Sequence, residues 1–502
     1  MTQCDPGPPL PGQAPRQPLG PVRRAVFGLG SFANAGPMVT MVQLQPYFSR
    51  LGYAASIVSN VRFITLMFDA ITDPLMGFIS DNTCSRLGRR MSYILPGALL
   101  LAAGLCGMWF APANLSSVHF FLFLMAMQAV YTVGFTMVTV PYQALIPELT
   151  ADYSARNTLV SWMQAGTYLG SLCGGAVQAY ATWRGDPIRG YREFAVYSSV
   201  VMIACYALLV IFLKEPPLTQ QQWQAITQRR RQMRHQLGRQ LAGLGQSLAR
   251  ALADRQFRVL FLTVFVYQTG VLAGIWLYPY ILRDWFGGTW NTPFARRYVP
   301  TLFRDAYFLW IFFGVTCGLA FIPFWNWMGK RLEKRTCLLM GVIGMGLGYG
   351  VSYYFFAPRS FPLLIGYCLL LAFAYCPANI FPYSMLADIA THSEQRTGQA
   401  SEGMFYGAWS FLQKCYFALA MLWTGFSLDH IVHYQPGEGV TQTAQAVLRM
   451  RLLYAAPPVI TAALAVPILM LYRLDRRRMA SVTAELAVTA QAPPPAQAPV
   501  GN

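Results

Sequence analysis

Residues 68–90 read FDAITDPLMGFISDNTCSRLGRR, and they set the problem the rest of the chain answers. The stretch opens inside an apolar run that begins near Ile57, and it places Asp69 and Asp73 deep within that run. It leaves through Asp81 and closes on Arg86, Arg89 and Arg90. Four residues is about one helical turn, so Asp69 and Asp73 share a face if the run is helical. Should the run cross a membrane, each carboxyl costs about 2.5–3.5 kcal/mol near the helix centre. Acids retained at that cost need a purpose.

Composition decides the surroundings. Hydrophobic residues make up 55% of the 502 and charged residues only 12%, with mean hydropathy +0.37. Soluble chains carry about one quarter charged residues and have no use for repeated apolar runs of this length. The sequence therefore predicts an all-α membrane protein, a polytopic helix bundle in a lipid bilayer. The net charge of +18 does not point to nucleic acid, because the basic residues gather in alternate loops. Ten cysteines lie scattered in apolar runs without a C-x-x-C pair, so they read as small buried hydrophobes and no metal or redox site is expected.

Twelve apolar runs lie near 25–48, 55–80, 92–112, 118–146, 158–182, 194–213, 257–283, 307–328, 336–357, 361–386, 403–426 and 449–472. They divide the chain into a disordered tail at 1–22, a six-helix half at 23–213, a basic linker at 214–256, a second half at 257–478 and a disordered tail at 479–502. The linker reads as a surface amphipathic helix, with a solvated charged segment as the alternative. With the N-terminus inside, cytoplasmic segments hold about 25 Lys and Arg and outer segments about 11. Both termini are therefore expected in the cytoplasm, in a plasma or bacterial inner membrane. The arginine-bearing 284–306 loop then faces out and is expected to fold over the seventh and eighth runs. Residues 140–145, VPYQAL, and 381–386, FPYSML, are offset by 241, as are Gly88-Arg89-Arg90 and Gly329-Lys330-Arg331. Two matches at one offset argue for duplicated halves about an axis along the membrane normal, enclosing a cavity that opens to alternate sides.

Few ionisable residues interrupt the runs: Arg62, Asp69, Asp73 and Lys414, with Glu148 and Asp388 near run ends. Asp69 and Asp73 together offer oxygens to Na⁺, or they share a proton, since two close carboxylates out of water repel. Lys414 is a candidate counter-charge when the cation is absent. The competing account is a structural ion pair between the second and eleventh helices. Arg62 could join the site or snorkel outward. Asp81, Arg89 and Arg90, with Lys330 and Arg331 in the second half, form a candidate cytoplasmic gate; plain topological charge is the alternative. Candidate cavity residues are Asn34, Thr136, Thr139, Gln143, Gln164, Tyr375 and Trp409, though such polar groups also bond neighbouring helices. The Gly170–Gly174 spacing packs helices within one chain or between two.

On these residues the chain resembles the glycoside–pentoside–hexuronide cation symporters of the major facilitator superfamily, over about residues 24–478. The most specific part is DAITDPLMGFISDNTCSRLGRR, with SEGMFYGAWSFLQK ending at Lys414. The resemblance implies a major facilitator fold of twelve transmembrane helices in two six-helix halves. It implies no enzyme and no cofactor, with Na⁺ or H⁺ as coupling ion at Asp69 and Asp73 and Lys414 beside them. It also implies a carrier that moves a small-molecule solute by alternating access, a glycoside or sugar first; the chain is expected to be a monomer. The positions matching the sugar permease's other charged contacts are Ala35, Thr139 and Gln164, so a lysolipid or other amphiphile is a second reading. A non-transporting sensor or scaffold on the same fold is a third.

Overall fold

A computed structural model describes residues 20–474 except 82, 84, 86–87, 113, 150–152, 214–244, 288, 290–291, 356–359 and 398–401. The expected tails and most of the linker lie outside these residues. Among the described residues twelve long helices follow in order: α1 Pro21–Thr40, α2 Ala55–Asp81, α3 Met91–Trp109, α4 Ser117–Ala144, α5 Tyr153–Gly175, α6 Pro187–Phe212, α7 Arg255–Ile281, α8 Ala306–Arg331, α9 Lys334–Phe355, α10 Phe361–Thr397, α11 Glu402–Phe426 and α12 Ala444–Met470. Where water is absent the backbone must satisfy its own donors and acceptors, and the helix does so within one segment. Where a helix end meets a loop, side chains finish the task. Ser116, Asp186, Asp254 and Thr443 accept from the first amides of α4, α6, α7 and α12.

Eleven of the described helices are long and apolar enough to cross a membrane. α5 is long enough at 23 residues, but Thr158, Ser161, Gln164 and Thr167 dilute its hydropathy. It holds its place by packing. Added to Gly166, Gly170 or Gly174, a Cβ would strike the backbone of α1 at Gly28, Phe32 and Gly36. Three missing side chains, four residues apart, thus bring two helices into backbone contact. The Gly170–Gly174 spacing is used within the chain.

α1 continues through a 3₁₀ turn, Met41–Gln43, into Leu44–Arg50. Pro37 lacks an amide, Thr40 Oγ1 donates to the Pro37 carbonyl at 2.7 Å, and Arg62 Nη1 donates to the Met41 carbonyl at 2.8 Å. Arg62 therefore turns inward and braces the kink.

The chain divides into two compact units. The first runs to residue 237 and also takes in 288–312 and 435–440; the second holds 238–287, 313–434 and 441 onward. Of the 284–306 loop, residues 284–287 group with the second unit and 288–306 with the first. Its helix Pro293–Tyr298 and 3₁₀ turn Thr301–Arg304 belong to a segment grouped with the first unit, where that turn packs on the short helix Val177–Trp183. Gly437 donates its amide to the Ser49 carbonyl at 2.7 Å in the same unit.

Asp305 sits at the join of this segment. It is 2% exposed, and its Oδ1 accepts from the Phe308 amide at 2.9 Å. Burial pushes its carboxyl up to about 7, against the opposing pull of the Phe308 and Tyr307 amides and of Arg50. A folded state that holds a proton the unfolded chain has released loses stability as pH rises. The stability tied to Asp305 is therefore intact below about pH 4 and falls through pH 7, by roughly 4 kcal/mol at most. In Asp305→Asn the amide oxygen still accepts from Phe308 and no charge develops. Its melting temperature is expected to fall less than that of the unmutated protein between pH 5 and pH 8. Equal slopes for the two proteins would refute this.

Candidate functional site

The first unit brings three helices together around α4. Thr132, Thr136, Thr139 and Gln143 recur at spacings of three and four, so they line one face of that helix. Thr136 Oγ1 donates to Asp69 Oδ1 at 2.8 Å, from α4 to α2, and both side chains are buried. One turn on, Asn34 Nδ2 of α1 donates to Thr139 Oγ1 at 3.3 Å, while Thr139 returns its own proton to the Phe135 carbonyl. Asn34 Oδ1 is buried with no hydrogen-bond partner among the described residues. A carboxylate, two hydroxyls and an unused amide oxygen therefore gather within two turns of α4. Those are hard oxygen ligands, the type Na⁺ selects.

The α1–α4 contact that supports this is anchored one turn further. Tyr142 OH donates to the Phe27 carbonyl, lies 3.1 Å from Ser31 Oγ and stacks its ring on Phe27 at 4.7 Å. Tyr206 OH of α6 donates to the Gly30 carbonyl at 3.0 Å.

Asp73 lies one turn beyond Asp69 on α2, half-buried. No cluster of three or more His, Cys, Asp or Glu suited to a metal ion occurs among the described residues. A cation at the Asp pair would need neutral oxygens to complete its shell, and the Thr136 hydroxyl is in contact with Asp69. Tyr131, a turn earlier on α4, lies in the field of both Arg62 and Asp69. Gln143 and Gln164 are exposed, on α4 and α5. At the basic end of the unit Arg90 is buried and Arg89 half-buried; the side chain of Asp81 lies outside the described residues.

In the second unit Lys414 is half-buried on α11. Trp409 is 4% exposed, its ring meets Tyr383 at 5.9 Å, and its Nε1 is buried without a hydrogen-bond partner among the described residues. Tyr383 OH donates to Gln413 Oε1 at 3.3 Å. Tyr375 is exposed, and its carbonyl accepts from Asn379 Nδ2 at 2.8 Å. Asn379 Oδ1 in turn accepts from Gln268 Nε2 of α7 at 3.4 Å. Phe381 packs against Gly329 of α8 instead of lining open space. Lys330 and Arg331 end α8 exposed, Arg331 stacks on Trp327 at 4.2 Å, and Lys334 Nζ bonds Asp388 at 2.7 Å.

Sequence reasoning passed over Gln128, Gln268, Asn379 and Gln413, although the rule that singled out Gln164, an amide inside an apolar run, applies to each. Gln128 and Gln268 are buried, and each has an Oε1 without a partner among the described residues.

A family model described as MFS/sugar transport protein matches residues 26–476. The chain belongs to that family. It is an integral membrane transporter of the major facilitator superfamily, not an enzyme, and the resemblance carried by the α2 motif and the α11 lysine holds. YagG of Escherichia coli, whose name proposes glycoside/cation symport, is 23% identical, covering 92% of this chain and 93% of its own. The sodium-dependent lysophosphatidylcholine symporter 1 of Mus musculus is 22% identical, covering 84% of this chain and 79% of its own. Among solved structures, the xylose transporter XylE from E. coli superposes with a TM-score of 0.59 at 14% identity, over 92% of this chain and 98% of that one. That likeness speaks to the fold alone.

Proposed function

We propose that this protein is a cation-coupled symporter of a glycoside or related small solute, with Na⁺ or H⁺ bound at Asp69 and Asp73. The observation that carries the reading is Asp69, buried at membrane depth and bonded by the Thr136 hydroxyl. An ionisable group inside a membrane-spanning helix marks an ion or proton pathway by default, and a carboxylate held by a neutral hydroxyl can take up and release a cation at each cycle. Thr136 keeps the carboxylate aimed, and its lone pairs offer a neutral oxygen beside it. The hydroxyls and amides of Asn34, Thr139, Gln143 and Gln164 suit the hydroxyl groups of a neutral sugar. Lys414 is assigned the counter-charge role when no cation is bound, and Arg89, Arg90, Lys330 and Arg331 the closing of the cytoplasmic side, with both termini there.

The uncharged residues Ala35, Thr139 and Gln164 also support a second substrate class, a lysolipid or other amphiphile, which one of the relatives has in its name. Uptake in proteoliposomes separates these readings. A glycoside panel and lysophosphatidylcholine are offered under an imposed Na⁺ gradient or an imposed pH gradient. The expected result is accumulation of one class under one gradient. Thr136→Val keeps the volume and removes the hydroxyl, and hydrogen bonds to charged groups are worth about 1.5–3 kcal/mol. It is expected to raise the half-saturating cation concentration about tenfold or more. Accumulation under neither gradient would overturn the proposal and leave the sensor or scaffold.

A further inference from the structure

The connection from α7 to α8 holds a carboxyl that the transport reading does not use. Asp305 is buried, and among the described residues it forms no ion pair. Its side chain meets backbone instead, with Oδ1 accepting from the Phe308 amide at 2.9 Å. Its own backbone is engaged on both sides. The amide donates to the Leu302 carbonyl at 3.3 Å, and the carbonyl accepts from the Leu309 amide at 3.1 Å. Thr289 lies opposite across an isolated antiparallel bridge. The 3₁₀ turn, the start of α8 and the bridge therefore all end on this one residue.

The segment around Asp305 is seated on the first unit. Its turn Thr301–Arg304 packs on the short helix Val177–Trp183. A Cβ added to Gly175 would meet Ile311 at 2.8 Å, and buried Tyr307 lies in the field of Tyr191 of α6. The seat is imperfect. Arg304 Nε and the Tyr307 hydroxyl are buried without hydrogen-bond partners among the described residues. A buried polar group left unsatisfied costs about 1–3 kcal/mol. A contact that carries two such costs is poised to open. At residue 313 the chain, still within α8, passes to the second unit.

The groups that face the carboxyl are these. Arg50, at the end of the α1 extension, pulls it down; on its own segment Arg304 precedes it and Tyr307 follows. Thr289 brings no charge. The short helix brings Tyr180, whose hydroxyl donates to Glu193 at 2.9 Å, and that acid is already paired with Arg184 and Arg189. Burial favours the neutral form of a carboxyl, and here burial outweighs Arg50. We propose that Asp305 is a proton site that latches the 288–312 segment to the first unit. Protonated, the side chain stays buried and the segment stays seated. Ionised, it is drawn into water and the segment lifts. The positive-inside count puts the segment on the outer side, so the latch reads the pH outside and holds in acid. This site is separate from the Asp69 cluster and does not depend on what is transported.

The test is hydrogen exchange of the full chain in detergent at pH 5, 6, 7 and 8, read by mass spectrometry and corrected for the intrinsic pH dependence of exchange. The amides of Val299, Phe303 and Leu309, which bond the Ala295, Pro300 and Asp305 carbonyls, report on the seat. Lifting releases one proton at any pH between the ordinary carboxylate value and the seated value of about 7. The protection of these amides should therefore fall about tenfold per pH unit from pH 5 and level off above pH 7. At each pH it should also be weaker than protection within α3, because the segment lifts without unfolding of the unit. Asp305→Asn should be flat over the same range. Arg50→Gln should move the levelling-off to higher pH, since the pull of the guanidinium is gone. Protection that does not change with pH in the unmutated protein would overturn the proposal, whatever the variants do. A fall that persists in Asp305→Asn would overturn it as well. So would seat protection equal to that of α3 at every pH, because the segment would then leave only when the protein unfolds.

Discussion

Asp69→Asn is expected to fold, to reach the membrane and to lose cation-driven accumulation entirely. Asparagine keeps the oxygen that accepts from Thr136 Oγ1 and keeps the side-chain volume, so the contact between α2 and α4 remains. The variant lacks the charge that attracts the coupling ion. The clearest measurement is thermal unfolding of purified protein against Na⁺, Li⁺ and K⁺ at fixed ionic strength. A ligand present at a hundred times its dissociation constant stabilises the native state by about 2.7 kcal/mol. The unmutated protein should show that rise for one ion, and Asp69→Asn and Asp73→Asn should show none. A rise that persists in both variants would place the ion elsewhere. Without an ion-specific rise even in the unmutated protein, Na⁺ is removed and proton coupling or the non-transporting reading is left.

The largest structural effect should come from Gly170→Leu. Its Cβ alone would drive into the Phe32 carbonyl of α1, and the rest of the side chain has only an apolar cavity between α1, α5 and α6 to enter. Ordinary overpacking costs about 1–3 kcal/mol where side chains can rearrange. Here the opposing group is backbone, held by Tyr206 and Tyr142 through the Gly30 and Phe27 carbonyls, so it cannot step aside cheaply. The expected outcome is loss of the monodisperse species in detergent, together with a lower melting temperature. Gly366→Leu on α10 is the control, because nothing lies within 4 Å of a Cβ there. It should behave like the unmutated protein. Similar behaviour of the two variants would mean that α5 is not held by its glycines.

Hydrophobic periodicity, the charge in the loops and the α2 motif were enough for the architecture. Twelve apolar runs became twelve long helices, because in a bilayer a long apolar segment has no other way to satisfy its backbone. Asp69 was legible for a related reason: a charge at that depth stands out against its neighbours. The partners of that charge were not legible. Thr136 and Thr139 resemble any hydroxyls in a membrane helix, and only the crossing of α4 over α2 and α1 sets them on Asp69 and Asn34.

The same division runs through the chain. Local composition determined which segments cross, where helices start and which acids are expensive, because each of those is a cost borne by a short stretch. Tertiary structure alone decided what the glycines of α5 meet, that Arg62 turns inward to the α1 kink, and that the 288–312 segment groups with the first unit. It also opened the cavity beside Gly170. Each of these depends on surfaces far apart in sequence meeting in space, and residue type alone does not say which surfaces meet.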